Sequence, residues 1–134
     1  MRRNRMQTFS RRLIAENRLT TDDLIWPLFV IEGKNQTEEI NAMPGVSRHS
    51  IDRLLEKAHQ AVELGIPAIA IFPSIDADLK DSSGSLAQDG DNLVCRAVVA
   101  LKSAYPDLGI ICDVALDPFT DHGHDGVMKA EEIL

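Results

Sequence analysis

Three short apolar runs alternate with two amphipathic helical segments along this chain, and this order limits the fold more than any other feature. The runs are LIWPLFVIEG (24–33), AIAIFP (68–73) and GIICDVAL (109–116), and each has the length of one buried strand. Apolar strands that alternate with helices predict a parallel sheet with the helices packed outside it. The predicted fold class is therefore α/β.

Both helical segments carry apolar residues at the spacing of one helix face. Ser50 is placed to cap the first segment, and Gly65 ends it. Asp91 or Asn92 can cap the second, which Pro106 ends. The apolar positions are Ile51, Leu54, Leu55, Ala58, Ala61, Val62 and Leu64 in the first helix, and Leu93, Val94, Ala97, Val98, Leu101 and Ala104 in the second.

Two segments between these elements are predicted to be loops. Residues 34–49 contain the turn sequence MPG. Residues 74–92 are polar, with Gly, Ser and five Asp, and they predict either a solvated loop or a lid over a binding site.

Composition excludes several classes of protein. The 134 residues amount to one domain or part of a larger one, and 44% of them are hydrophobic. A formal net charge of -7 argues against a nucleic-acid surface, and no apolar run approaches the roughly 20 residues that span a bilayer. Cys95 and Cys112 lack metal-binding spacing and predict reduced thiols in the cytoplasm.

Most of the ionisable chemistry lies in DVALDPFTDHGHDG (113–126), which follows the third apolar run. In parallel α/β sheets the functional loops follow the carboxyl ends of the strands. If the strand continues to residue 116, alternation places Asp113, Ala115 and Asp117 on one face, where two carboxylates are costly unless paired or coordinated. Together with Asp125, they predict a site. Two structural alternatives remain: Asp117 caps the turn before Pro118, and Asp113 pairs with a Lys or Arg.

Two other interpretations compete for this segment. From Asp121 to Glu132 the spacing D-x-G-x-D-G-x5-E resembles a calcium-binding EF-hand loop, with Gly126 at the turn position. Against it, Gly123 replaces a ligand, and a strand and turn rather than a helix are predicted before Asp121.

His122 and His124 could ligate a transition metal, although histidines flanked by glycine in a turn are more often hydrogen-bonding loop residues. The sequence contains no GxGxxG, P-loop, GxSxG or HExxH motif. The carboxylates are therefore its strongest chemical signal.

DVALDPFTDHGHDG closely resembles the signature of the delta-aminolevulinic acid dehydratase family, whose members are also called porphobilinogen synthases. LIWPLFVIEG, MPGVSRHSID, ELGIPAIAIFP and DNLVCRAVVALKSAYPDLGIICDVALDP resemble the same family. The resemblance runs in order through nearly all 134 residues.

The resemblance implies an incomplete (β/α)8 TIM barrel that contains only the first three βα units. Residues 1–134 would be the amino-terminal, truncated part of a single barrel domain. The implied activity is that of a hydro-lyase that condenses two molecules of 5-aminolevulinate to porphobilinogen, with loss of two waters, in haem biosynthesis. The implied assembly is a homo-octamer, with neither nucleic acid nor membrane as a partner.

The resemblance also implies a type of metal. In the zinc-using branch, three cysteines occupy the positions that hold Ala115, Asp117 and Asp125 here. The chain therefore resembles the zinc-independent branch, which is associated with magnesium, and no active-site zinc is expected. Asp117 and Asp125 would position and polarise the second substrate, and would be the ligands of any metal bound there. Asp113 would belong to the same catalytic acidic network.

Family members rely on two lysines, on later barrel strands, that form Schiff bases with the substrate ketones. This chain's lysines lie in predicted loops or helices, and none matches the family's lysine motifs: they are Lys34, Lys57, Lys80, Lys102 and Lys129. We therefore expect no catalysis by this chain alone. The alternative function is that of a non-catalytic, truncated product that binds a divalent metal through its Asp cluster.

Overall fold

The computed structural model describes residues 2–126, 128–129 and 132–133. The helices are α1 (Arg3–Met6), α2 (Thr8–Leu13), α3 (Ile51–Glu63) and α4 (Leu93–Ala104). The strands are β1 (Ile25–Val30), β2 (Thr37–Glu39), β3 (Ser47–His49), β4 (Ala68–Pro73), β5 (Gly109–Cys112), β6 (Met128–Lys129) and β7 (Glu132–Ile133). Four short 3-10 turns are Thr21–Asp23, Ala77–Leu79, Ser85–Gln88 and Asp117–Phe119.

The three predicted strands, β1, β4 and β5, are neighbours in one five-stranded sheet with the order β2-β3-β1-β4-β5. β1 pairs with β4, and β4 pairs with β5, both in parallel. Because α3 connects to β4 and α4 to β5, the strand and helix order predicted from sequence is confirmed. The parallel α/β class is confirmed as well.

Residues 34–49, predicted to be a loop, contribute two strands. β2 and β3 form an antiparallel pair, and β3 lies parallel to β1 through Phe29 opposite Arg48 and Val30 opposite His49. The prediction that residues 34–49 form only a loop is therefore wrong for these two strands. Each of the two added strands has only three residues, too few to show a periodicity.

α3 and α4 cover one face of the sheet and bury its core. Ile69 and Ile71 of β4, Leu54 of α3 and Leu101 of α4 are fully buried. Each such side chain contributes about 1.5 to 3 kcal/mol relative to exposure to water. This packing fixes the positions of β4 and β5, from whose carboxyl ends the candidate site is built.

The opposite face of the sheet points away from both helices. On this face, apolar side chains of neighbouring strands lie side by side: Ile25 of β1 is opposite Ala68 of β4, and Phe29 is opposite Phe72. The two phenylalanine rings lie 5.8 Å apart between centroids. Ile25 and, on β5, Ile111 are about half exposed. An apolar face of this kind is the inner wall of a barrel.

Within the described ranges, we find no helix whose length and apolar character would allow it to cross a membrane. α1 and α2 are short and contribute no buried residue. α2 overlaps FSRRLIAEN (9–17), a segment that could form a short helix from its sequence, but it begins at Thr8 and ends at Leu13.

Candidate active site

The third sheet strand is shorter than predicted, and this changes the geometry of its carboxylates. β5 ends at Cys112, so Asp113, Ala115 and Asp117 do not share one strand face, and that prediction is wrong. An oxygen of the Asp113 carboxylate accepts a hydrogen bond from the Ala115 N–H at 3.2 Å. Such a local bond between side chain and backbone competes with the strand ladder. Asp117 begins a 3-10 turn with Pro118.

Asp125 returns to the end of β5 and binds its backbone. Its Oδ1 accepts hydrogen bonds from the N–H groups of Leu116 at 2.7 Å and Asp117 at 3.1 Å. Asp125 is therefore joined to the backbone of Asp117, and the Asp117 carboxylate takes no part in these two bonds. The carboxylates of Asp113, Asp117 and Asp125 all belong to exposed residues.

A buried threonine, which sequence reasoning missed, holds the middle of this segment. We call residues 113–126 the β5 loop. The Thr120 hydroxyl lies 3.3 Å from the Asp117 carbonyl oxygen and 3.1 Å from that of His124, and Thr120 is only 1% exposed. Phe119 beside it is also buried and belongs to the hydrophobic core. Phe119 is an apolar residue within an otherwise polar run. This pattern is the sequence signal that could have indicated a loop anchored in the hydrophobic core.

The two histidines of the β5 loop make hydrogen bonds that shape it. The His124 N–H donates to Nδ1 of His122 at 3.2 Å, and Nε2 of His122 lies 3.2 Å from the Ser82 carbonyl oxygen. His122 therefore carries its proton on Nε2, which donates to Ser82. In the described part of the chain, no group of three His, Cys, Asp or Glu residues is arranged to hold a metal ion. The interpretation as hydrogen-bonding loop residues fits this geometry.

The loop after β4 contains a further carboxylate with a structural role, Asp81, which was not identified from the sequence. We call residues 74–92 the β4 loop. The Asp81 carboxylate accepts hydrogen bonds from both the N–H and the hydroxyl of Ser83, each at 2.8 Å, and from the N–H of Ser85 at 3.1 Å. The Ser85 hydroxyl donates to its other oxygen. These bonds, that of the Ser85 hydroxyl foremost, hold the pKa of Asp81 well below its ordinary value.

The β4 loop contacts the β5 loop directly, so it is more than the solvated loop considered above. Asp81 and Thr120 form an isolated parallel bridge. The Asp121 N–H donates to the Asp81 carbonyl oxygen at 3.1 Å, and the Asp81 N–H donates to that of Phe119 at 3.4 Å. The ends of β4 and β5 thus share one hydrogen-bonded surface.

The calcium-loop interpretation is not supported by the elements that flank it. A 3-10 turn, Asp117–Phe119, precedes Asp121, and Glu132 lies in β7, which pairs with β6. An EF-hand places helices on both sides of its loop. Asp125, which would be a ligand, instead holds the backbone of the β5 loop through Oδ1.

Cys95 and Cys112 are free and half-buried, in agreement with the predicted reduced thiols. Burial raises the pKa of the Cys112 thiol, and the neighbouring Cys95 raises it further. A thiol with a raised pKa is a weak nucleophile. Cys112, which packs against the hydrophobic core, therefore belongs to the packing rather than to the site.

Comparison with known proteins gives one consistent result. The family model described as delta-aminolevulinic acid dehydratase matches residues 1–134. A delta-aminolevulinic acid dehydratase of Bradyrhizobium diazoefficiens is 54% identical over 133 residues, which are 99% of this chain and 38% of that protein. The corresponding protein of Chlamydia pneumoniae is 44% identical over 133 residues, and the match covers 40% of its length.

A solved structure shares the fold. The delta-aminolevulinic acid dehydratase (porphobilinogen synthase) of Toxoplasma gondii ME49, in complex with the reaction product porphobilinogen, superposes with a TM-score of 0.92 at 40% identity. The match covers 99% of this chain and 38% of that one. The chain therefore spans about two fifths of the length of the relatives it matches, and the predicted partial barrel is confirmed.

Proposed function

The chain belongs to the delta-aminolevulinic acid dehydratase family, and we propose that it forms the acidic part of a porphobilinogen synthase active site. The complete enzyme would condense two molecules of 5-aminolevulinate to porphobilinogen with loss of two waters. The observation that supports this most directly is the joining of Asp117 and Asp125 at the carboxyl end of β5. Barrel enzymes carry their sites at this end of the strands.

We assign the substrate amine to Asp117 and Asp125. In the described part of the chain only Oδ1 of Asp125 takes part in the hydrogen bonds of the β5 loop, which leaves Oδ2 for a ligand. A carboxylate attracts the ammonium group of 5-aminolevulinate and accepts a proton from it. The nitrogen lone pair is then available for bond formation. Asp113, four residues before Asp117 in the sequence, would add negative charge to the same surface.

The ligand atoms available at Ala115, Asp117 and Asp125 determine which metal ion this site could bind. Ala115 offers no ligand atom, so the three family cysteine positions provide only the carboxylates Asp117 and Asp125. Zinc in a closed site takes four protein ligands, commonly thiolates and imidazoles, and does not fit this set. Magnesium keeps several waters and needs only one or two carboxylates. Asp117 and Asp125 would hold such an ion, which would supply positive charge near the substrate.

Catalysis also needs a group that binds the substrate ketone covalently, and the five strands of the main sheet lack one. Lys129 lies on β6 of the separate two-stranded sheet, not in a loop or helix as expected from the sequence. None of the five strands of the main sheet contains a lysine. Lys102, on α4, is occupied by the carbonyl oxygens of Pro106 and Leu108, at 2.6 and 3.0 Å. We propose that the Schiff-base lysines come from chain beyond these 134 residues, and that the 134 residues do not turn over substrate alone.

A chimera tests the function. These 134 residues replace the matching segment of the Bradyrhizobium diazoefficiens relative, and porphobilinogen formation from 5-aminolevulinate is measured by its colour reaction. We expect turnover by the chimera, also after dialysis against a zinc chelator, and none by the 134 residues alone. An inactive but folded chimera would contradict the function. Turnover by the 134 residues alone would contradict the role given to the lysines.

Asp125→Asn separates chemistry from loop structure in this chimera. The amide oxygen of Asn can still accept the N–H groups of Leu116 and Asp117, but the charge and the proton acceptor are lost. We expect turnover to fall roughly 100-fold, at the lower end of the range for a lost acid or base group. Asp121→Asn, a neighbouring exposed carboxylate, is the control and should keep the activity of the parent chimera.

The alternative, a non-catalytic product that binds a divalent metal, has less support. It requires Asp113, Asp117 and Asp125 to converge on one ion. Asp113 is engaged with the Ala115 N–H, and no three His, Cys, Asp or Glu residues in the described ranges are arranged to hold a metal ion. Dehydratase activity of the chimera that depends on Asp125 would exclude this alternative.

A further inference from the structure

We propose that Asp81 is a positioning residue for this active site: it builds a turn in the β4 loop that holds the β5 loop, and thereby places Asp117 and Asp125. This inference rests on the proposed function, since it concerns the same two carboxylates. Asp81 itself is not expected to touch substrate. Its effect is exerted through three successive contacts.

The first contact forms the turn. The two oxygens of the Asp81 carboxylate accept hydrogen bonds from the N–H and hydroxyl groups of both Ser83 and Ser85. Hydrogen bonds to a charged carboxylate are about twice as strong as those between neutral groups. One side chain thus fixes residues 81–85 in a single conformation.

The second contact joins the turn to the β5 loop. The backbone of Asp81 exchanges hydrogen bonds with Phe119 and Asp121, and the Ser82 carbonyl oxygen lies 3.2 Å from Nε2 of His122. These three bonds lie on both sides of Thr120, the buried centre of the β5 loop. A turn in another conformation could not present both carbonyl oxygens to this loop.

The third contact reaches the catalytic carboxylates. Gly84, with a φ of 63°, packs so closely on Leu116 that a Cβ on Gly84 would lie 2.8 Å from Cδ1 of Leu116. The N–H of Leu116 is one of the two that bind Asp125. Asp117 and Asp125 are exposed, so hydrogen bonds and this packing, rather than burial, determine where their carboxylates lie.

Asp81→Asn in the chimera tests the inference. The Asn amide nitrogen cannot accept a hydrogen bond, so one side of the turn is lost. We expect kcat to fall roughly tenfold to a hundredfold, the range that a displacement of about 1 Å can cause. KM should change little, since the rest of the substrate site is intact. The control is Asp89→Asn, which removes a carboxylate of the same loop that binds only the local N–H of Asp91.

A double-mutant cycle with Asp125→Asn distinguishes positioning from general destabilisation. If Asp81 acts by placing Asp117 and Asp125, the loss of kcat in the double variant should be clearly smaller than the product of the two single losses, because coupled residues are not additive. Additive losses, or normal kcat in Asp81→Asn, would overturn the inference and leave the proposed function intact. Normal turnover in Asp125→Asn would overturn the site assignment of the proposed function itself.

Gly84→Ala provides a second, independent variant. It leaves Asp81 unchanged but inserts a methyl group between the two loops, so it should lower kcat and speed amide hydrogen exchange across residues 113–126. Gly45→Ala is its control, because Gly45 also has a positive φ, 83°, but a Cβ there meets nothing within 4 Å. Equal kcat and equal exchange in the two alanine variants would contradict the proposed contact between the loops.

Discussion

Asp125 shows how a single side chain serves both loop structure and the proposed chemistry. Its Oδ1 closes the β5 loop on the backbone of Leu116 and Asp117, while Oδ2 makes no hydrogen bond to the described residues and is the oxygen proposed to bind the substrate amine. The sequence could predict that Asp117 and Asp125 meet, because both lie around a Gly-rich turn after a strand. It could not predict where Asp113 points, because the strand ends at a local hydrogen bond that leaves no periodic signal.

His49 should make stability depend on pH. Burial lowers the pKa of this histidine, Lys57 lowers it further, and Glu56 partly opposes them. The unfolded chain takes up a proton near the ordinary value of 6.5, whereas the folded chain resists it. Stability is therefore complete above pH 6.5 and declines as the pH falls below it. Urea denaturation of the chimera between pH 8 and 5 measures this decline.

His49→Gln should reduce this pH dependence, since glutamine does not titrate. His59→Gln is the matched control, because His59 is an exposed histidine on α3. If both variants retain the pH dependence of the parent, the decline has another origin.

At the scale of elements, hydrophobic periodicity and capping residues in the sequence predicted most of the helices and strands that these signals can indicate. β4 has the bounds that were expected, and α3 and α4 begin directly after Ser50 and Asn92, although the Ser50 side chain makes no cap hydrogen bond. β2 and β3 were missed because each is only three residues long. The turn at Asp81 is built by local hydrogen bonds, but its contact with the β5 loop was missed because it joins residues about 40 positions apart, which no local pattern records.

The cap of α4 gives a prediction at this scale. Of the two candidates in the sequence, the structure selects Asn92, whose side chain accepts the Cys95 N–H at 3.0 Å. Asn92→Ala should lower the free energy of unfolding of the chimera by about 1 to 2 kcal/mol, because this N–H loses its partner. Asp91→Ala is the control and should have little effect. Equal urea midpoints for the two variants would contradict the assignment of the cap.

At the scale of the whole molecule, helices cover one face of the sheet and leave the other face uncovered. α3 and α4 cover the first, whereas Ile25 and Ile111 on the other remain about half exposed. β5 pairs only with β4 among the described strands. Both features agree with a chain that spans about two fifths of its relatives' length, because the remaining strands of a closed barrel would pair with β5 and fill the interior.

A crystal structure of the chimera with porphobilinogen bound tests the central claim, that Asp117 and Asp125 hold the substrate amine, most directly. The measured quantity is the distance from the amine of the bound product to each carboxylate. We predict that an oxygen of Asp117 or Asp125 lies within about 3.2 Å of this nitrogen, directly or through one water. An amine bound only by residues outside these 134 positions would contradict the claim.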